Sequence, residues 1–167
     1  MKKIIHYFMI GVYLLVITAC SGNKNMKNIS QIEYYAGSGP VSPEFQWQEK
    51  IIITAHEITF TRSGDGPDTL INTGTWTIPV NKSEIDELFT TLEAVDISTI
   101  KRVAFEDPMD GGGYESYTIS YANNKTFSIS NDTEGETENS DLIIDPVQAF
   151  FQQLDFPEEA IERELLK

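Results

Sequence analysis

Three carboxylates bracket a run of glycines in the middle of the chain, and this pattern could bind a cation. Asp107, Asp110 and Glu115 flank the glycines at residues 111–113. Calcium takes roughly 6–8 oxygen ligands, so glycine carbonyls could complete a shell begun by the carboxylates. The spacing does not match an EF-hand loop, and a plain acidic turn is the alternative. We therefore keep Asp107, Asp110 and Glu115 as a candidate binding or metal loop without assigning a metal.

A second acidic stretch covers residues 131–141 and contains almost no apolar side chain. Its carboxylates are Asp132, Glu134, Glu136, Glu138 and Asp141. Like charges at this density repel one another, which predicts an extended, hydrated and mobile loop. Calcium binding is the alternative for this stretch too.

The residue inventory restricts the chemistry that a catalytic site could use. His56 is the only histidine after the first twenty residues, and Cys20 is the only cysteine in the chain. Zinc sites built from several histidines or cysteines are excluded, as are cysteine–histidine nucleophilic pairs. A pair of carboxylates about 5–10 Å apart could hydrolyse glycosides, but nothing in the spacing selects one pair among Glu44, Asp107, Asp110 and Glu115. A carboxylate-dependent hydrolase therefore remains an alternative to a protein without enzymatic activity.

The amino terminus has the pattern of an export signal. Lys2 and Lys3 precede an apolar run over residues 4–19, which is short for a membrane span and typical of a cleaved signal. Residues 17–20, Ile-Thr-Ala-Cys, resemble the lipobox of bacterial lipoproteins. This resemblance implies cleavage before Cys20, a diacylglycerol on its sulfur and an N-acyl lipid on its amine, with no other cofactor. By resemblance to Gram-negative sorting, Ser21 implies the outer membrane with the domain facing the periplasm, and surface exposure stays open.

Charge and polarity define the rest of the organisation. We expect a signal over residues 1–19, a polar tether over residues 20–28 and one domain over residues 29–167. The chain has a net charge of −14, and removal of the signal, with its two lysines and no acid, makes it more negative. Such a surface repels phosphate backbones, so we expect no nucleic-acid partner. The expected partners are the lipid bilayer, through the acylated terminus, and an envelope protein, peptide or glycan.

Alternation of apolar and polar residues predicts several strands, the clearest being residues 45–53, 58–61, 75–78, 117–121 and 127–129. Asn123-Asn124 predicts a hairpin turn. Ser83 is the expected cap of one helix. Asp145 and Pro146 are the expected start of another, and residues 157–167 predict a helical tail. Together these elements predict an α+β fold, a twisted antiparallel sheet of about five to seven strands with two or three helices covering one face.

Aromatic side chains supply the last candidates. Most lie at the inward positions of their strands, whereas Tyr35 and Tyr114 are the expected exceptions that could stack on a sugar or a peptide. Residues 35–40 and the strand after Phe45 are similar to the opening of small uncharacterised bacterial lipoprotein domains, which implies no activity. The sequence thus favours a membrane-anchored lipoprotein with a non-enzymatic binding module. The hydrolase and a calcium-dependent adhesion domain are the alternatives.

Overall fold

The computed structural model describes residues 28–107 and 111–165. Eight strands run in the order β1 (Ile29–Gly37), β2 (Trp47–Thr54), β3 (Ile58–Gly64), β4 (Gly74–Ile78), β5 (Lys101–Ala104), β6 (Tyr114–Tyr121), β7 (Thr126–Asn131) and β8 (Gly135–Glu138). The helices are α1 (Lys82–Glu93), α2 (Asp141–Phe151) and the single turn α3 (Glu158–Ile161). Short 3-10 turns occur at Pro43–Phe45 and Ile97–Thr99.

Six of the strands form one antiparallel sheet in the order β4-β3-β2-β1-β6-β7, and β5 and β8 form a separate pair. The sheet begins at Ile29, the expected first residue of the domain. Asn124 takes a positive φ of 62° in the β6–β7 hairpin, as expected for its Asn-Asn turn. The α+β class, the strand number and the helix-covered face are confirmed.

The core lies between one face of the sheet and the first two helices. Its sheet side consists largely of β-branched residues with period-two spacing, and Ile32, Ile53, Ile58 and Ile119 are almost fully buried. Helix α1 contributes the stripe Ile85, Leu88, Phe89 and Leu92, and α2 contributes Ile143, Val147 and Phe150. Both helices pack on this inward face and leave the opposite face of the sheet uncovered by them.

Both main helices begin at residues other than those expected. In α1, the side chain of Asn81, rather than Ser83, caps the helix by accepting the amide of Ser83 at 3.1 Å. In α2, the expected start at Asp145 and Pro146 is wrong, because the helix begins at Asp141 and Pro146 lies inside it. The extra turn places Ile143 in the core beside Val147. Pro146 has no amide to donate to the carbonyl of Leu142, four residues earlier, and Leu142 is exposed to solvent.

The expected loop over residues 131–141 is wrong, and the expected helical tail is much shorter than predicted. Strand β8 forms within the acidic stretch because β5 brings cations to it, with Lys101 opposite Glu138. As far as the structure describes it, to residue 165, the tail is helical in the α3 turn alone. Beyond α3, Glu164 pairs with Ile71, and the amide of Leu165 donates to the carbonyl of Leu70 at 2.8 Å. Side-chain contacts from the sheet, described below, replace the hydrogen bonds that a longer helix would make.

Candidate functional site

The sheet surface opposite α1 and α2 carries the most distinctive group of exposed residues, and we call it the outer face. Most of its outward positions are serine or threonine: Thr54, Thr59, Thr61, Ser63, Thr75, Thr77, Ser116, Thr118, Ser120, Thr126, Ser128 and Ser130. Hydroxyls on neighbouring strands bond to one another, as in Thr61 to Thr75 at 3.2 Å and Thr118 to Ser128 at 2.9 Å. In the part of the chain that the structure describes, no helix packs on this face.

The outer face carries little charge although the protein is strongly acidic. Glu33 and Lys50 are the charged residues at its outward strand positions, and they differ in sign. The net charge of −14 is therefore carried mainly by the helices, loops and termini. A neutral, hydroxyl-rich surface on such a protein suits a ligand that is polar and uncharged.

Tyr35 and Tyr114 form an aromatic pair on this face, as expected from their strand positions. Their ring centroids are 5.5 Å apart, the ring planes meet at 37°, and the Tyr114 hydroxyl donates to the Tyr35 hydroxyl at 3.2 Å. Tyr114 remains 37% exposed. Burial, followed by the hydrogen bond to Tyr35, raises the pKa of Tyr114 to about 12, so its phenol stays neutral at physiological pH.

Gly37 makes room for this pair. It lies opposite Tyr114 in the β1–β6 register, and an ideal Cβ at Gly37 would lie 2.4 Å from both Cζ and the hydroxyl of Tyr114. The phenol therefore lies across the backbone of β1, where only glycine leaves space. The sequence pattern did not reveal this close approach.

A cavity of about 200 Å³ adjoins Tyr114 at the end of the sheet, beside the outer face. It is lined by Ser38, Gln46, Trp47, Gln48, Gly64, Asp65 and Tyr114. Gln48 lies between Ser63 and Gly37 in the strand register, which places its amide beside the tyrosine pair. The cavity thus combines two aromatic residues, Trp47 and Tyr114, with amide, hydroxyl and carboxylate groups, the kinds of group that orient a polar ligand.

The predicted cation loop is only partly within the described residues. Asp107 is exposed at the end of one described stretch, and Asp110 lies outside the described residues. Glu115 sits on β6 at an inward position, where its carboxylate accepts a 3.4 Å hydrogen bond from the Tyr34 hydroxyl. Within residues 28–107 and 111–165, no three histidines, cysteines or acids are grouped so as to hold a metal.

The second acidic stretch has a partner for its first carboxylate. Asp132 pairs with Arg102, whose guanidinium also donates to the Ser130 carbonyl. The pKa of Asp132 is lowered by the backbone amide of Glu134 and by Arg102. This arrangement gives Asp132 a role in fastening β5 and β8 to the edge of the main sheet.

A buried ion network that the sequence pattern did not predict lies on the inward face. The Arg62 Nε donates to Glu49 at 2.8 Å, and Arg163 Nε donates to the same oxygen at 3.0 Å. Arg62 also donates to the carbonyls of Ala160 and Glu162, each at 2.9 Å. The available signal was Glu49, a charge at an inward position of β2. The network fastens the carboxyl-terminal segment to the sheet.

Two other sequence candidates occupy positions unrelated to these features. His56 is exposed in the turn between β2 and β3, where its amide donates to Thr54 at 3.4 Å. Cys20, the predicted lipidation site, lies outside the described residues together with the whole predicted signal. None of the helices in the described ranges has the length and apolarity needed to cross a bilayer.

Comparison with protein-family models, with curated proteins and with solved structures gave no match to this chain.

Proposed function

We infer that this chain is a lipid-anchored protein of the cell envelope whose domain is a non-enzymatic binding module. Its lipid-anchored terminus is Cys20, and its binding surface is the outer face. The domain is held on the short tether of residues 20–28, at the outer membrane and facing the periplasm. An envelope glycan, peptide or protein is the class of ligand.

One observation carries the binding assignment: an uncovered sheet face of hydroxyl side chains that carries little charge on a protein of net charge −14. If the outer face served only to keep the protein soluble, we would expect it to carry acidic residues like the rest of the surface. A cavity bordered by Tyr114 and Gln48 adjoins this face, and its polar lining suits binding of a polar chain.

The binding assignment is tested with full-length protein in detergent against immobilised oligosaccharides, peptides and isolated envelope fractions. Thr118→Lys places a bulky cation in the middle of the outer face, opposite Glu33, so the sheet can accommodate it. Thr90→Lys, at an exposed position of α1, is the matched control. We expect saturable binding to at least one probe, weakened about tenfold by Thr118→Lys and unchanged by Thr90→Lys. Equal affinity of the two variants for every probe would refute the outer face as the binding surface.

The anchor is tested separately by growth with labelled palmitate. We expect label in the wild-type protein and none in Cys20→Ser, with a mature mass that lacks residues 1–19. An unlabelled wild-type chain that retains Met1 would refute the anchor and leave the binding assay unaffected.

A further inference from the structure

The tyrosine pair and its cavity narrow the ligand class, an inference that rests on the proposed function. The pair lies on β1 and β6, two neighbouring strands in the interior of the sheet. Strand β1 lies between β2 and β6, and β6 lies between β1 and β7. Tyr35 pairs with residues on both neighbouring strands, and Tyr114, the first residue of β6, pairs with Gly37 of β1. A peptide that recognises its partner by adding a strand needs a free sheet edge, which this position lacks.

Recognition at this position must instead use side chains and ring faces. Tyr114 is ordered by its contact with Gly37 and by the hydroxyl bond to Tyr35, so little conformational freedom remains to be lost on binding. Its ring borders the cavity whose other polar groups include Gln48 and Asp65. A pyranose matches this combination because it offers an apolar C–H face to a ring and hydroxyls to amides and carboxylates.

Size and charge restrict the sugar further. A cavity of 200 Å³ corresponds to about six or seven water volumes at roughly 30 Å³ each, which is the scale of one sugar ring. Asp65 is the charged residue that lines it, and it would repel an anionic sugar. Lys50 lies opposite Tyr35 in the register, but one cation in an acidic protein does not offset that repulsion.

We propose that Tyr114, supported by Tyr35 and Gly37, forms a subsite that stacks on one ring of a neutral hexose polymer, with Gln48 and Asp65 binding its hydroxyls.

The subsite is tested by calorimetric titration of the full-length protein in detergent with neutral hexamers of α-1,4-glucose, β-1,4-glucose and α-1,6-mannose. An oligogalacturonate and a neutral hexapeptide are the comparison probes. We expect at least one neutral hexamer to bind. Tyr114→Ala should weaken that binding at least tenfold, and Tyr114→Phe, which keeps the ring, should stay within threefold. Leu142→Ala, which truncates an exposed apolar residue on α2, is the control and should leave affinity unchanged.

Gly37→Ala is a second probe of the same geometry, since the new methyl group displaces the phenol without removing it. We expect a loss of affinity comparable with that of Tyr114→Ala, with an unchanged circular dichroism spectrum. Saturation-transfer NMR supplies a direct readout of binding, because saturation of the protein protons should reach the sugar bound to the wild type and should decrease in Tyr114→Ala.

The outcomes separate this subsite from the proposed function. A neutral hexamer whose binding is weakened by Thr118→Lys but not by Tyr114→Ala would support the outer face as the binding surface and overturn the subsite. Binding of only the oligogalacturonate or the peptide overturns the subsite and leaves the outer face as the binding surface. If no probe binds and no envelope fraction does either, both assignments fail.

Discussion

Replacement of Arg62 by leucine should be the most damaging single change to stability at the inward ion network. Arg62 is 5% exposed and Glu49 is 9% exposed, so both charges are removed from water. Loss of one member of a buried pair costs about 3–5 kcal/mol. In Arg62→Leu, the buried Glu49 carboxylate would keep only the half-exposed Arg163 as its ionic partner. Arg62→Leu also removes the donors to the carbonyls of Ala160 and Glu162, which hold the carboxyl-terminal segment.

Arg163 provides a control within the same network. It donates to the same Glu49 carboxylate, but its side chain is 47% exposed. An exposed ion pair contributes about 0–1 kcal/mol. Its guanidinium also lies 3.9 Å from the centroid of the Trp47 ring, a contact of about 0.5–1 kcal/mol at exposed sites. Arg163→Ala should therefore cost about 1 kcal/mol, far less than Arg62→Leu.

The assay is urea unfolding of the full-length chain in detergent, followed by fluorescence. With a slope near 2 kcal/mol/M, Arg62→Leu should lower the midpoint by about 1.5–2.5 M, and Arg163→Ala by about 0.5 M. The double variant Glu49→Leu/Arg62→Leu should cost less than the sum of its single variants, because neither charge is then stranded. A midpoint for Arg62→Leu at or above that of Arg163→Ala would refute the idea that burial, rather than pairing alone, makes Arg62 critical.

Three other predictions concern tyrosines and a glycine of the sheet. Tyr121→Phe should stabilise the protein by up to about 1 kcal/mol, because no partner within the described residues bonds its buried hydroxyl, whereas Tyr117→Phe should cost about 1 kcal/mol through loss of the Gln148 hydrogen bond. Urea unfolding should show changes of opposite sign in the unfolding free energies of the two variants, and changes of the same sign would contradict this prediction. Burial raises the pKa of both Tyr117 and Tyr121 to about 12, above the ordinary value of 10.0. The stability that the two neutral phenols give the folded state is therefore complete below pH 10 and is lost as the pH rises through about 12. The free energy of unfolding should fall between pH 9 and pH 11.5, and a flat profile would be inconsistent with burial. Gly135→Ala would place a Cβ 2.4 Å from the Val103 carbonyl oxygen and should open the β5–β8 pair. Amide hydrogen exchange should then accelerate at residues 101–104 and stay unchanged in β1, and unchanged exchange at residues 101–104 would contradict the close contact.

Local pattern was sufficient for much of the sheet and insufficient for helix boundaries. The alternation through Ile51, Ile53, Ile58 and Phe60 predicted half-buried strands because a pleated strand directs successive side chains to opposite faces. Pro146, by contrast, suggested a helix start on local grounds. Burial of Ile143 in the core outweighed that preference, and only packing against the sheet shows this.

The same division applies to charge. The sequence predicted that the acids of residues 131–141 would repel one another and form a loop, because a local pattern does not show which distant cations will lie beside them in the fold. The fold brings Lys101 opposite Glu138 and Arg102 to Asp132, and a strand forms. Glu49 at an inward position looked like an interruption, and its partners Arg62 and Arg163 lie 13 and 114 positions away.

The sequence by itself determined the α+β class, the outward direction of Tyr35 and Tyr114, and an acidic composition, because these follow from periodicity and residue counts. The tertiary structure alone decided that the tyrosines meet over Gly37, beside a cavity that adjoins a face with little charge, and that Arg62 holds the carboxyl-terminal segment. Such features depend on which residues from distant parts of the chain become neighbours. Strand order and packing set those neighbours, and no local window of sequence contains them.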